Sequence, residues 1–333
     1  MHIRFLVPGN VRHGSGGNKY NAKLAEHLSA LGVDLEMVTV DGDWPVGSPT
    51  DRQRFADMLD GGTTVIADGL VASGAPEEIA GAVNAGTKVW VLSHMALADH
   101  NDLEAKALAA ATGVVCPSAH AAAELEAKHG IQNIVIATPG AEKANPAEGS
   151  EPRHIVVVAA LLPNKCQTFL VQALSEIHDL PWTAALIGSH DADPGYAAKV
   201  RAVVEHCGLE NRISITGELT GDALEEQWHR ADLSVLISRS ESFGMSVTES
   251  LAHGIPVLVR QGTGAVEALG TSRAGTALDL SDPRNLAGTL RRWLTDHAQQ
   301  QTWRNAAMTA REHLQGWDTT AATVMEALER PPR

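Results

Sequence analysis

Arg239-Ser240-Glu241-Ser242-Phe243-Gly244-Met245-Ser246-Val247-Thr248-Glu249-Ser250-Leu251-Ala252-His253-Gly254-Ile255-Pro256-Val257 joins two apolar segments and carries two carboxylates, Glu241 and Glu249, eight positions apart. The apolar run Leu233 to Ile237 before it reads as a strand. Gly244 frees the backbone for a tight turn or a close ligand approach. From Met245 the pattern turns helical, with Val247 and Leu251 on one apolar face. Gly254 ends that helix, and Pro256 keeps the chain extended into Val257-Leu258-Val259. The order strand, acidic loop, glycine turn, helix, glycine stop, strand places the loop at the carboxyl edge of a parallel sheet, where ligands collect. The N–H groups of Gly244, Met245 and Ser246 then stand at a helix N-terminus suited to phosphate. Taken alone, the two glutamates read as a helix-start acid and a solvated residue; the residues around them reverse that.

The spacing Glu241-x-Phe243-Gly244-x4-Glu249, followed by Gly254-x-Pro256-Val257, resembles the Glu-x7-Glu signature of the retaining GT-B glycosyltransferases of family 4. The resemblance implies an α/β chain of GT-B architecture, with two Rossmann-like domains whose parallel sheets face a cleft. It implies hexosyl transfer from a UDP- or GDP-linked sugar, with retention of configuration and closure of the cleft on the donor.

Composition is compatible with this. A chain of 333 residues holds two domains of ordinary size. No run of 18 apolar residues predicts a membrane-crossing helix. The N-terminus enters a strand at once, without a signal-peptide pattern. Cys116, Cys166 and Cys207 lack metal-ligand spacing and fit a reducing compartment, so the cytoplasm is expected. A formal net charge of −14 argues against nucleic-acid binding and against docking on anionic lipid. A small, non-lipid acceptor is therefore expected, membrane association is not, and a homo-oligomer is compatible with the sequence.

Along the chain, strands and helices alternate, as in parallel sheets covered on both faces. Strands are expected at Ile3 to Val7, Leu35 to Val40, Thr63 to Ala67, Lys88 to Leu92, Gly113 to Cys116 and Ile134 to Ala137. The helices between them begin with one holding Tyr20, Leu24 and Leu28. Pro139 to Pro152 is a linker rich in Gly, Pro, Ala and Glu. A second series opens at His154 to Val158 and continues with a helix from about Lys165 to Ile177. Two or three helices follow Asp282, and Asp318 is a candidate N-cap for the last. Residues 1–145, joined by a C-terminal helix over about 316–333, are expected to form the acceptor-side domain. Residues 146–315 are expected to bind the nucleotide sugar.

The loop Gly14-Ser15-Gly16-Gly17 lacks the third glycine of a dinucleotide fingerprint, which disfavours a dehydrogenase. It resembles instead the family's donor-phosphate loop, in which Gly16 and Gly17 let backbone amides approach a diphosphate. Lys165 matches the family lysine that binds the diphosphate, and His94, at a strand end, matches a histidine that positions the donor sugar. By the same resemblance Glu241, Phe243, Gly244 and Met245 grip sugar and phosphate, and Glu249 takes the ribose. Val247 and Thr248 add backbone contacts to the diphosphate, and Gly188 closes a strand near the donor.

One position departs from the family: Ala160 stands where an arginine is usual. Losing one preset donor costs on the order of 3 kcal/mol of barrier, or ~10²–10³ in rate. Arg239 or Arg12 is expected to supply the missing cation, with Arg260 a third option. The alternative is a nucleotide-sugar-binding protein with weak or no transferase activity; a sugar-nucleotide epimerase is a more distant rival. No cofactor and no obligatory metal are expected, because this fold class holds its diphosphate by amides and cations. Asp191-Ala192-Asp193 is read as a loop.

Overall fold

The computed structural model describes residues 1–11, 14–61 and 64–329; Arg12 lies outside them. The chain divides into two compact units, residues 1–140 with 316–333, and residues 141–315.

The first unit runs β1 (His2–Pro8), α1 (Gly16–Ala30), β2 (Asp34–Val40), α2 (Pro49–Leu59), β3 (Thr64–Asp68), α3 (Gly69–Ser73), α4 (Pro76–Asn84), β4 (Lys88–Leu92), α5 (Asn101–Ala110), β5 (Gly113–Cys116), α6 (Ala119–His129) and β6 (Val135–Ile136). Its parallel sheet has the order β2-β1-β3-β4-β5-β6, so strand order reverses beside β1 and β3. The chain leaves β1 for β2 on one side and later returns to β3 on the other, which opens a crevice at their carboxyl ends.

The second unit runs β7 (Arg153–Val158), a 3₁₀ turn (Pro163–Lys165), α7 (Gln167–Ser175), β8 (Trp182–Ile187), α8 (Pro194–His206), β9 (Ile213–Gly217), α9 (Gly221–Arg230), β10 (Leu233–Leu236), α10 (Met245–Ala252), β11 (Val257–Arg260), α11 (Ala265–Leu269), β12 (Gly275–Leu278), α12 (Pro283–Thr295) and α13 (His297–Arg311). Its parallel sheet is ordered β12-β11-β10-β7-β8-β9, with the reversal between β10 and β7. The last helix, α14 (Trp317–Glu329), belongs to the first unit.

Both faces of the second sheet are covered, which is why its strands read as continuous apolar runs. On β7, Ile155 and Val157 face a core shared with Leu170, Leu174, Val200, Leu286 and Trp293. Val156, pointing the other way, meets Trp228 and Ile255. This alternation follows from the two-residue period of a strand.

Several local expectations change. α1 takes in Gly16 and Gly17 of the glycine loop, because Ser15 caps it by accepting the Asn18 N–H at 3.1 Å. Lys165 closes a 3₁₀ turn instead of opening a helix: Cys166 takes φ 59° and α7 begins after it. Asp318 lies inside the first turn of α14 and is not its cap. α2 was not expected. Its residues are mostly polar, with Phe55 and Leu59 buried, but Ser48 and Asp51 form a reciprocal capping box ahead of them.

Candidate functional site

In the second unit, the loops after β7 and β10 flank the point where strand order reverses. The first is drawn down onto β8: Ala159 N donates to Ile187 O at 2.9 Å and Leu161 N to Ser189 O at 3.0 Å. Gly188 is required there, since a Cβ on it would lie 2.0 Å from Ala159 O. Its part is to let the two strand ends close up.

Asn164 then joins the two loops. Its carbonyl accepts from Arg239 N at 2.8 Å, its Oδ1 accepts from Ser240 N at 3.0 Å, and its Nδ2 donates to Ser240 O at 3.0 Å. With the loops fixed, Lys165 Nζ reaches Glu241 Oε1 at 2.5 Å, and Ser238 Oγ donates to the same oxygen at 2.6 Å. Glu241 Oε2 makes no hydrogen bond among the described residues, which leaves it to accept from a ligand hydroxyl. Gly264 N donates to Glu241 O at 2.7 Å, and a Cβ on Gly264 would stand 2.0 Å from Ser242 O. The carboxylate is thus held by its backbone as well as by its partners.

Gly244 stands at the N-cap of α10, its φ of +92° suits only glycine at low cost, and no side chain caps the helix. The N–H groups of Met245 and Ser246 have no acceptor among the described residues. Val247 is different: its N–H is given to Gly244 O at 2.9 Å and its side chain is in the core, so it offers no open donor. Thr248 spends its hydroxyl on Met245 O at 2.9 Å. Phe243 is also buried, against Leu236, Val259 and Ala265, and anchors the loop rather than presenting a ring to a ligand.

Glu249 is half-buried on α10. His253, in the same stretch, has a structural part. Its Nδ1 donates to Glu249 O at 2.7 Å, its Nε2 lies 3.1 Å from Glu225 and its ring stacks on Trp228, fastening α10 to α9.

At the end of β9, Gly217 has φ +83° and accepts the Gly188 N–H at 2.8 Å. Beside it stands His190, a residue that sequence reasoning missed. Arg201 can only donate to His190 Nδ1, at 2.8 Å, so the ring proton sits on Nε2. That Nε2 is buried without a hydrogen-bond partner among the described residues. Its only sequence signal was its place two residues after the strand-end Gly188. Arg239 is exposed and lines a different hollow, together with Arg260 and Lys199. Lys165, Glu241 and Glu249 do not line that hollow. Asp193 accepts the Tyr196 N–H at 2.8 Å and caps α8.

The first unit has its own constellation at the β1/β3 reversal. Gly16 has open space around it, whereas a Cβ on Gly17 would come within 3.0 Å of the His94 ring. His94 Nε2 donates to Asn21 Oδ1 at 2.8 Å and lies 3.4 Å from Asp68 Oδ2, and Asn21 Nδ2 donates to that carboxylate at 2.8 Å. Tyr20 meets the His94 ring edge-on and donates its hydroxyl to Ala137 O. Burial works to raise the Asp68 carboxyl. The hydrogen bond and charge of His94, the Asn21 amide and the Leu70 N–H outweigh it and hold the group below the usual carboxylate range. Asn21 and Asp68 were missed by the sequence reading because each looks like an ordinary helix or cap residue.

Two parallel, doubly covered sheets, each with a ligand-competent reversal point, define the GT-B class of architecture. The chain is similar over 98% of its length to sucrose-phosphate synthase from Thermosynechococcus elongatus (TM-score 0.82, 18% identity, 98% of that chain). It is also similar to HepE of Anabaena, solved with UDP and glucose (TM-score 0.77, 17% identity, 98% of this chain and 99% of that one). The family model for glycosyl transferases group 1 matches residues 140–309, and the chain belongs to that family. D-inositol 3-phosphate glycosyltransferase of Jonesia denitrificans is 30% identical over 193 residues, 55% of this chain and 45% of the relative. The matches span about half or less of the length of the curated relatives. No helix among the described residues is long and apolar enough to cross a membrane.

Proposed function

We propose that this chain is a retaining hexosyltransferase that moves a sugar from a UDP- or GDP-linked donor to a small, non-lipid acceptor. One observation carries the reading: the Lys165–Glu241 pair stands at the strand-order reversal of the unit that also holds the uncapped N-terminus of α10. A diphosphate needs positive charge and backbone donors, and Lys165 with the Met245 and Ser246 amides provides both. A sugar needs hydroxyl acceptors, and Glu241 Oε2 is one. The binding of UDP and glucose by HepE supports a nucleotide sugar as the donor class.

In the proposed reaction the bond between the anomeric carbon and the diphosphate oxygen breaks as the acceptor oxygen bonds to the same face of the sugar. The acceptor's proton passes to the departing diphosphate oxygen. Donors already in place stabilise the charge that develops on that oxygen. Glu249 is assigned to the ribose, the Gly16-Gly17 loop to donor phosphate, and His94 to positioning the sugar, its ring orientation set by Asn21 and Asp68. No metal or cofactor is required, and the cytoplasm is the proposed compartment, the three cysteines forming no disulfide.

Incubation of the chain with UDP- and GDP-sugars and an acceptor panel, with product configuration read by NMR, tests this. An α-linked donor should give an α-linked product in the presence of EDTA; an inverted product would refute retention. Ala160 supports a second reading, a binding protein of low activity. The loop after β7 has no cation at that position, and its carbonyl is occupied by the Gln167 amide at 2.9 Å. Tight donor binding without hydrolysis or transfer would favour that reading.

A further inference from the structure

The hollow lined by Arg239, Arg260 and Lys199 has a volume of about 630 Å³, within the range of small-molecule sites. All of its walls belong to the second unit. Asp193 is the one carboxylate lining it, and its Oδ1 is engaged in capping α8. No carboxylate pairs with any of the three cations among the described residues. In a chain of net charge −14, three unpaired cations around one cavity run against the overall field.

Arg260 is the best-placed of the three. Its Nε donates to Ile237 O at 3.1 Å, and its guanidinium lies 5.9 Å from the centre of the Phe169 ring. These contacts fix the planar head on a half-buried stem. Arg239 is carried by the loop that Asn164 clamps, and Lys199 projects from the second turn of α8. The Tyr196 hydroxyl, 3.4 Å from Thr168 Oγ1, adds a neutral hydrogen-bonding group.

We propose that this cavity binds the phosphate group of a phosphorylated small molecule of sugar-phosphate size, at a site separate from the donor's diphosphate. Two guanidinium groups and an ammonium match a dianionic phosphate in charge and in donor number. The remaining volume, with Phe169 and Leu280 in its wall, accommodates the body of the molecule. The ligand has two sources, a phosphorylated acceptor or a phosphorylated regulator, and the phosphate chemistry is common to both. Its separateness from the donor's diphosphate rests on the proposed donor site, whereas phosphate binding is measured directly and is distinguishable from it.

Isothermal titration of the full chain with inorganic phosphate and with glucose 6-phosphate, at low and at physiological salt, tests it. Both should bind. The Lys199→Ala/Tyr196→Phe variant should weaken glucose 6-phosphate at least tenfold while changing UDP- and GDP-sugar affinity less than twofold. Lys199→Ala alone, at an exposed position, should weaken it severalfold with an unchanged melting curve, which separates binding from folding. Glycosylation of the probe would identify the ligand as an acceptor; altered turnover without glycosylation would identify it as a regulator. Unchanged phosphate affinity in the double variant, or competitive displacement of phosphate by UDP in the unsubstituted chain, overturns the proposal.

Discussion

Lys165 Nζ and Glu241 Oε1 lie 2.5 Å apart, with the two side chains 22% and 12% exposed. A pair so far withdrawn from water is costly to break from one side, because the remaining charge keeps its desolvation penalty and loses its compensation. Lys165→Ala should therefore lower kcat by ~10²–10³, the effect of losing one preset donor. Glu241→Gln should act similarly, and the double variant should cost less than the sum of the two. Steady-state kinetics over this cycle checks the coupling; strict additivity would mean that the two residues act apart. His190 offers a second residue-level outcome. Its buried Nε2–H has no acceptor among the described residues. His190→Ala should weaken nucleoside diphosphate binding by about fivefold, near 1 kcal/mol for one hydrogen bond, as read by titration with UDP and GDP. Glu241, Glu249, Lys165 and His94 could be named as candidates because the resemblance is carried by short local motifs, and the structure pairs Lys165 with Glu241. Asn21 with Asp68, and Asn164 with Ser240, could not be named in that way. Those partners meet across 47 and 76 positions, and a side chain's partner at that range is a product of the fold.

Elements set these side chains, and Asp68 shows how. It ends β3, caps α3 through Leu70 N at 2.9 Å, and faces Asn21 of α1 and His94 beyond β4. Its folded-state carboxyl sits below its unfolded value, so the native state binds fewer protons than the unfolded chain as pH falls. The resulting stability is present above an unfolded pKa of about 3.9 and is lost as pH drops through the lower folded value. Asp68→Asn keeps a capping side chain but removes the charge. It should cost about 1–3 kcal/mol at pH 7, with the gap to the unsubstituted chain narrowing from pH 5 downward. Melts at pH 7 and pH 3 check the sign; a gap that widens in acid would contradict it. At this scale most strands and long helices were readable, since apolar runs and capping glycines announce them. The 3₁₀ turn at Lys165 was not, because it depends on Cys166 adopting φ 59°, a conformation no periodicity encodes. α2 was lost to its polar surface, although its capping box was visible in retrospect.

At the scale of the whole chain, the first unit is assembled from two distant pieces of sequence. The chain passes into the second unit after Gly140, returns at Gly316, and lays α14 along α1. Gly140 sits so close to this return that a Cβ on it would stand 2.2 Å from Trp317 N. Trp317 packs edge-on against Tyr20 with ring centres 5.3 Å apart, Thr320 Oγ1 donates to Thr138 O at 2.7 Å, and Lys88 Nζ donates to Leu328 O at 3.3 Å. Trp317, Ala321, Val324, Ala327 and Leu328 are all buried. Each larger apolar side chain among them contributes roughly 1.5–3 kcal/mol, so their sum is comparable to the ~5–15 kcal/mol that keeps a domain folded. Tyr20 neighbours His94, so the same helix supports the histidine from behind. Truncation after Gln315 should therefore unfold or loosen the first unit while leaving residues 141–315 folded. Hydrogen exchange followed by mass spectrometry should show protection lost across β1, α1 and β4 and retained across β7, β8 and β10. Uniform retention of protection would mean that α14 is dispensable to the unit it joins. Trp317→Ala provides the graded version: a loss of about 3–5 kcal/mol in the first unit's stability, with nucleotide binding to the second unit unchanged.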